Sequence, residues 1–500
     1  MLTILHNFIG GFSTLSLEVV LMVCLGVVVG IIFGALPGLT ATTAISVFLP
    51  VTFYMSPVTA IGFLIGLYVG GIYGGSVTAI LINTPGTPAS AATALDGYKM
   101  AQQGKAKKAL QAALYGSTFG GLLSTIILVF VAQIIANVAV NFATAEYFWL
   151  GIFGLTIVAS LSGKNMVKGL VAACIGLFLG FIGMDPVNGA VRFTFGNITL
   201  LKGVQLVPAC IGFFAMSEVL TQIDRSRKDE KQDAGAAIGP KLSAKEFFSH
   251  WKLLLKSSLI GTGVGAIPAT GSTVAAFLAY NSAKNSSKSP ETFGEGNLEG
   301  VLAAESSNNA VTGGALIPLL TLGIPGDTST AVMLGALMIQ GLTPGPMLFQ
   351  NQGDKVYGIF ITVMIANIAM LLIGKLSVGA YQNVVRIPRR ILQPIVFGLC
   401  IIGTYAINTE PFDVLIMFIF GFLGYIMQKL GFPVTPTILA LILGSMTEKY
   451  LRTGLMVNEG SFIKMMSGRW IAFFFVALTI FSILYSVARE TDLLKKLKKK

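Results

Sequence analysis

A chain of 500 residues with 54% apolar and only 11% charged side chains cannot cover a water-facing surface, since a soluble domain carries about 25% charged residues. The mean hydropathy of +0.78 makes lipid the main solvent. The net charge of +12 would suit nucleic acid, but the basic residues lie in loops between apolar runs and at the C-terminus, where they orient a membrane protein; no other feature supports nucleic-acid binding.

Apolar runs occupy 17–33, 58–82, 112–140, 148–161, 169–183, 357–374, 391–407, 413–427 and 470–487. Several approach or exceed the roughly 20 residues that span hydrocarbon as a helix. They are continuous rather than alternating, which argues against a β-barrel. The expected fold is an all-α polytopic membrane protein of about a dozen transmembrane helices. No Lys or Arg precedes the first run and no small-residue cleavage site follows it, so that run is expected to stay in the mature protein. Cys24, Cys174, Cys210 and Cys400 are scattered in apolar stretches and read as small core residues. Gly66, Gly70, Gly71, Gly74 and Gly75 read as a close helix contact.

Basic residues first appear at Lys99, Lys105, Lys107 and Lys108, then at Lys164 and Lys168, then densely over 225–256, at 375–390 and in the tail after Arg489. The positive-inside rule puts these in the cytoplasm and the bare loops 136–146 and 404–413 outside. The loop 449–469 carries Lys449, Arg452, Lys464 and Arg469, yet the order of crossings places it outside. The segment 225–250, rich in charge and small residues, reads as a cytoplasmic linker.

Three motifs recur in order. GALPGLTATT at 34–43 matches GAIPATGSTV at 265–274, NTPGTPAS at 83–90 matches GIPGDTST at 323–330, and AMSE at 215–218 matches SMTE at 445–448. Corresponding loops carry opposite basic content, so the expected arrangement is two inverted repeats, 1–224 and 251–467, followed by an extra C-terminal helix and Lys-rich cytoplasmic tail over 468–500.

Pro removes an N–H and breaks a helix, and Gly lets the chain bend. Such breaks survive at membrane depth only inside protein or along a wet cavity. The runs 251–267 and 268–280 are short for two crossings, which suggests a re-entrant hairpin around Pro268. Helix N-termini formed at the breaks would attract an anion without a buried Lys or Arg, and none lies in the middle of an apolar run. Thr40, Thr42 and Thr43 are candidate ligands, although Ser and Thr also pack small at helix contacts. Asp327 is the acid set deepest among the broken segments and is the candidate for ion coupling; the alternative is a capping Asp at a helix start. Glu305, Ser306, Ser307, Asn308 and Asn309 form a polar stretch that is either a ligand shell or a helix N-terminus at the interface. Asp96, Glu218 and Glu448 read as interfacial, and His6 and His250 receive no role. Only two His and no HExxH or GxSxG motif argue against an enzyme.

The segments GALPGLTATTAISVFLP, YVGGIYGGSVTAILINTPGTPASAATALDGY and GIPGDTSTAVMLGALMIQGLTPGP resemble the large membrane subunit of the tripartite tricarboxylate transporter family, and the resemblance covers nearly the whole chain. It implies a secondary transporter in a bacterial inner membrane, importing citrate-like or aromatic carboxylates on a sodium or proton gradient. A periplasmic solute-binding protein and a small four-helix membrane subunit are the implied partners, with an elevator-like mechanism. Carried over, Asn83, Thr84, Pro85, Gly86 and Thr87 with Gly323 to Thr330, including Gly326, Thr328, Ser329 and Thr330, would form the substrate and ion site together with the two Pro-centred hairpins. Those hairpins carry the further substrate-binding candidates Thr40, Thr42 and Thr43 in the first half and Thr270, Ser272 and Thr273 in the second. Asn308 and Asn309 join Asp327 as ion-coupling candidates, sodium at Asp327 and Asn83 is the candidate ion site, and no other cofactor is expected. An ATPase-driven importer remains an alternative, although the chain has no GxxxxGK[ST] loop of its own, as does a channel.

Overall fold

A computed structural model describes residues 2–161, 166–185, 187–225, 239–268, 270–379, 381 and 389–497. Residues 226–238 of the linker expected at 225–250 and the last three lysines of the tail lie outside the described residues. The molecule is almost entirely helical. Helices α1 (Leu2–Ser13), α2 (Leu17–Gly34), α3 (Ala41–Phe48), α4 (Pro57–Ile82), α5 (Ser90–Met100), α6 (Ala106–Ala139), α7 (Thr144–Leu161) and α8 (Met166–Gly180) come first. A short ribbon of β1 (Gly183–Met184) and β2 (Val191–Arg192) follows. Then α9 (Leu206–Cys210) passes through a π-turn at Ile211–Met216 into α10 (Ser217–Arg225). The second half runs through α11 (Ala244–Ser249), α12 (Trp251–Gly265), α13 (Gly271–Ser286), α14 (Leu298–Leu322), α15 (Thr328–Ile339), α16 (Pro346–Asn351) and α17 (Gly353–Ser377). It closes with α18 (Arg389–Asn408), α19 (Pro411–Lys429), α20 (Thr435–Val457), α21 (Phe462–Met466) and α22 (Trp470–Leu497).

Six helical stretches among the described residues are long and apolar enough to cross a membrane: α2, α4, Ser90–Ala139, Leu206–Asp224, α17 and α19. Shorter apolar helices include α13's counterpart at Ala41–Tyr54 and α15. Position in the bundle follows burial. The most apolar window of α4 is 94% buried and that of α19 only 39%, so α4 is central and α19 peripheral. Leu21 and Leu25 of α2 and Phe473, Phe474 and Phe481 of α22 face outward, the surface that lipid covers. Cys210 and Cys400 are buried as expected, whereas Cys174 faces out, because its helix contributes one stripe to the lipid surface.

The glycine run does make a helix contact. A Cβ on Gly26, Gly30 or Gly34 of α2 would stand 2.3, 2.6 or 2.2 Å from the carbonyl oxygens of Phe63, Leu67 and Gly71. Gly66, Gly70 and Gly74 of α4 meet the carbonyls of Val23, Val27 and Ile31 just as closely. Small residues thus let two backbones touch, which drives helix association in lipid. The same relation recurs between α12 and α14. Gly261 and Gly265 abut the carbonyls of Ser307 and Val311, and Gly314 that of Thr262.

Each of these pairs ends in a break. α4 terminates at Asn83 and α14 at Gly323, both left-handed (φ 53° and 72°), a conformation that Gly and Asn tolerate. The chain then folds back so that Gly86 lies against the Gly34 carbonyl and Gly326 against that of Gly265. α2 is followed after Pro37 by α3, and α12 after Pro268 by α13, which packs back on α12. Across the halves, α6 lies along α14, and α17 along α4 and α2.

The polar stretch at 305–309 is not a helix start. α14 begins at Leu298, capped by Asn297, and the stretch sits wholly buried in its interior. The helix extends upstream because Val301 and Leu302 continue its buried apolar packing.

The ribbon is held by Asp185, which accepts the backbone N–H groups of Val187 (2.9 Å) and Asn188 (3.2 Å) and pairs with Arg452. Arg192 bonds Glu448 at 2.6 Å. The Val187 N–H, then that of Asn188 and the two arginines, hold the Asp185 carboxyl below its ordinary range. Glu448 and two basic residues thereby form a cluster tying α20 to the ribbon.

Candidate functional site

Four helices start at one cavity of about 540 Å³. At α3, Thr40 caps the helix, accepting the Thr43 N–H at 3.2 Å, and Thr42 and Thr43 occupy the first turn. At α5, Thr87 and Pro88 precede the helix, and Ser90 Oγ donates to the Thr87 carbonyl at 2.8 Å. At α13, Thr270 donates to the Ile267 carbonyl at 2.9 Å, and Ser272 and Thr273 follow in the first turn. At α15, Asp327 accepts the Thr330 N–H at 2.8 Å while its own N–H donates to Thr330 Oγ1 at 2.9 Å, a reciprocal cap.

The N-termini are joined across the halves. Thr42 Oγ1 lies 3.0 Å from Thr328 Oγ1 and 2.9 Å from Ser329 Oγ. Tyr68, fully buried in α4, donates its hydroxyl to Asp327 Oδ2. Asp327 is therefore a cap, the alternative reading of its role, and in addition lines the cavity. The lining also has an apolar part, Phe213 and Phe214 of the π-turn with Phe432 and Pro433, and the polar Glu218 and Gln428. No Lys or Arg lines the cavity among the described residues.

Of the candidates from the sequence, the cavity gathers Thr40, Thr42, Thr43, Thr87, Thr270, Ser272, Thr273, Asp327, Thr328 and Ser329. Asn83, Thr84, Pro85, Gly86, Gly326 and Thr330 are not among the lining residues: Asn83 ends α4, Gly86 and Gly326 make the backbone contacts above, and Thr330 closes the cap of α15. Asn308 and Asn309 lie deeper, inside α14. Tyr68, Phe213, Phe214, Gln428 and Phe432 carried no sequence signal. Glu218 carried one, the AMSE match, but was not read as part of the site; it lines the cavity just after the π-turn at Ile211–Met216. Asp96 is buried against the segment that leads into α14. It accepts Tyr280 Oη at 2.9 Å and the N–H groups of Gly294, Gly296 and Asn297 at 2.8, 2.9 and 2.7 Å.

Each helix N-terminus carries about half a positive charge and free N–H groups, so four of them present roughly two charges to an anion. Hydroxyls at every terminus supply donors for carboxylate oxygens.

Residues 20–439 match the family described as the tripartite tricarboxylate transporter TctA family. An uncharacterized 52.8 kDa protein in the TAR-I ttuC' 3' region of Agrobacterium vitis is 37% identical over 461 residues, 92% of each chain. A second protein of that organism, in the TAR-II ttuC' 3' region, is 37% identical over 200 residues, 40% of this chain and 83% of its own. No solved structure matches.

Proposed function

The chain belongs to the tripartite tricarboxylate transporter TctA family, and from that premise we propose that it imports a di- or tricarboxylate, citrate-like or aromatic, on a sodium or proton gradient. The observation that carries this reading is the meeting of four helix N-termini at a cavity that no Lys or Arg lines among the described residues. That arrangement favours a multiply charged anion while leaving it free to depart, since dipoles bind more weakly than a desolvated ion pair. Asp327 and Glu218, which both line the cavity, oppose the anion unless a cation enters with it, which is the electrostatic reason for coupling to an ion gradient. Asp327 is the proposed cation ligand beside the substrate. The periplasmic solute-binding protein and the small four-helix membrane subunit are the proposed partners, and the bacterial inner membrane the proposed location, with the linker and C-terminus cytoplasmic.

The test is accumulation of labelled citrate and of an aromatic dicarboxylate in vesicles carrying the full chain with these partner subunits. Saturable uptake that collapses with the ion gradients and ignores ATP is expected. Uptake that persists without any gradient, or follows ATP, would remove the reading.

A further inference from the structure

Away from the cavity, inside α14, Glu305 is wholly buried. It lies about 10 Å along the helix from Leu298, at 1.5 Å per residue. Its partners come from three other helices. Ser76 of α4 donates to Oε1 at 2.5 Å, Thr93 of α5 donates to the same oxygen, and Ser117 of α6 donates to Oε2 at 2.8 Å. No Lys, Arg or His pairs with Glu305 among the described residues. The position it would occupy by the repeat, in α4, is Ile65, so the carboxylate belongs to the second half alone.

An unpaired carboxylate inside a membrane protein is costly and rarely kept without a use. The shell around this one has a specific property. A hydroxyl can donate to a carboxylate and, by rotating, accept from a carboxylic acid. Three hydroxyls therefore serve both charge states, whereas a lysine or arginine would lock the ionised one. One turn further on, Asn308 is buried with neither amide atom hydrogen-bonded, and the side-chain oxygens of Asn309 and of Asn367 on α17 lack a partner as well. Buried polar groups with unmet capacity need a reason, and a polar track leading to an ionisable group supplies one.

The ionisable groups around Glu305 do not replace it. Tyr73 of α4 faces the same carboxylate, with the Tyr381 ring 6.2 Å from its own. Asp96, one turn beyond Thr93, is committed to Tyr280 of α13 and to backbone N–H groups. Lys108 of α6 bonds Glu246, and Lys256 of α12 bonds Ser286.

We propose that Glu305 binds the coupling proton, taking it from one side of the membrane and releasing it to the other. This rests on the reading of the protein as a gradient-driven transporter. The link to the substrate cavity is Thr93. It stands in the first turn of α5, where Ser90 bonds the carbonyl of Thr87, and Thr87 and Pro88 just before the helix line the cavity. Protonation turns one of the two hydroxyls at Oε1 from donor to acceptor or releases it, and so acts on the seat of a helix N-terminus that faces the anion.

The experiment uses the full chain with its partner subunits in proteoliposomes and labelled citrate as the probe. Glu305→Gln, which resembles the protonated form, is expected to lower accumulation driven by an imposed pH gradient by about tenfold or more, while exchange of labelled for unlabelled citrate continues. Glu305→Asp should restore part of the gradient response. In the purified full chain in lipid, the infrared band of a protonated carboxyl should rise as pH falls and be absent from Glu305→Gln. Accumulation on a pH gradient by Glu305→Gln, or accumulation by the unmodified protein on a sodium gradient alone with no pH dependence, would overturn the proton site. If the unmodified protein moves no carboxylate under any gradient while the Glu305 band still titrates, the site stands and the transport reading falls. Should Glu305→Gln not fold, Thr93→Val decides, since it keeps the carboxyl. Altered pH dependence with intact exchange supports the proposal, and unaltered pH dependence refutes it.

Discussion

Asp327 shows how one side chain combines a structural and a chemical position. One oxygen caps α15 and the other takes the Tyr68 hydroxyl at the cavity wall. Asn caps a helix about as well as Asp, so Asp327→Asn separates the two. Thermal stability in detergent should change little, while the ion dependence of uptake weakens. Unchanged ion dependence would leave Asp327 as a cap only. Asp185 gives a pH prediction. Its carboxyl titrates below the ordinary range in the folded protein, so its contribution is present above the unfolded value, roughly 3.9, and is lost as pH falls through the lower folded value. Protease cleavage in the ribbon should therefore increase only in strong acid, and Asp185→Asn should show that susceptibility already at neutral pH.

At the scale of elements, the glycine contacts of α2 with α4 and of α12 with α14 set where the broken segments sit. Gly86 and Gly326 press on carbonyl oxygens with no side chain to yield: an added Cβ would be 2.1 and 2.5 Å away. Gly86→Ala and Gly326→Ala should each cost about 1–3 kcal/mol of stability, measured as a lower melting temperature. Similar losses at both sites would mean that both breaks are built alike, and a loss at one alone would deny that equivalence. The contact made by α4 was legible in the sequence, because small residues four apart have few uses in an apolar helix; that between α12 and α14 was read only from the structure. The interior place of Glu305 was not, since a polar stretch beside an apolar one looks the same at a helix start as within a buried helix.

For the whole molecule, the opposite basic content of matching loops predicts opposite orientation of the halves. Single cysteines at Ser16, before α2, and at Ser249, before α12, should react with an impermeant thiol reagent from opposite faces, Ser16 from outside. Both side chains are exposed, so labelling from one face would contradict the inverted arrangement. Charge and hydropathy decided from sequence alone that this is a helical membrane protein, because solvent preference is a property of composition. Pro and Gly spacing marked the broken segments, because those residues act on their own backbone. Family membership was legible in the long motifs around them. Only the tertiary structure decided which hydroxyls meet: Thr42 with Ser329, and Ser76, Thr93 and Ser117 with Glu305, are pairings between distant segments. Such pairings depend on helix rotation and on a π-turn at Ile211–Met216 that local sequence does not announce. The aromatic wall and Tyr68 emerged for the same reason, since apolar side chains look alike in a sequence until packing selects the few that face a cavity.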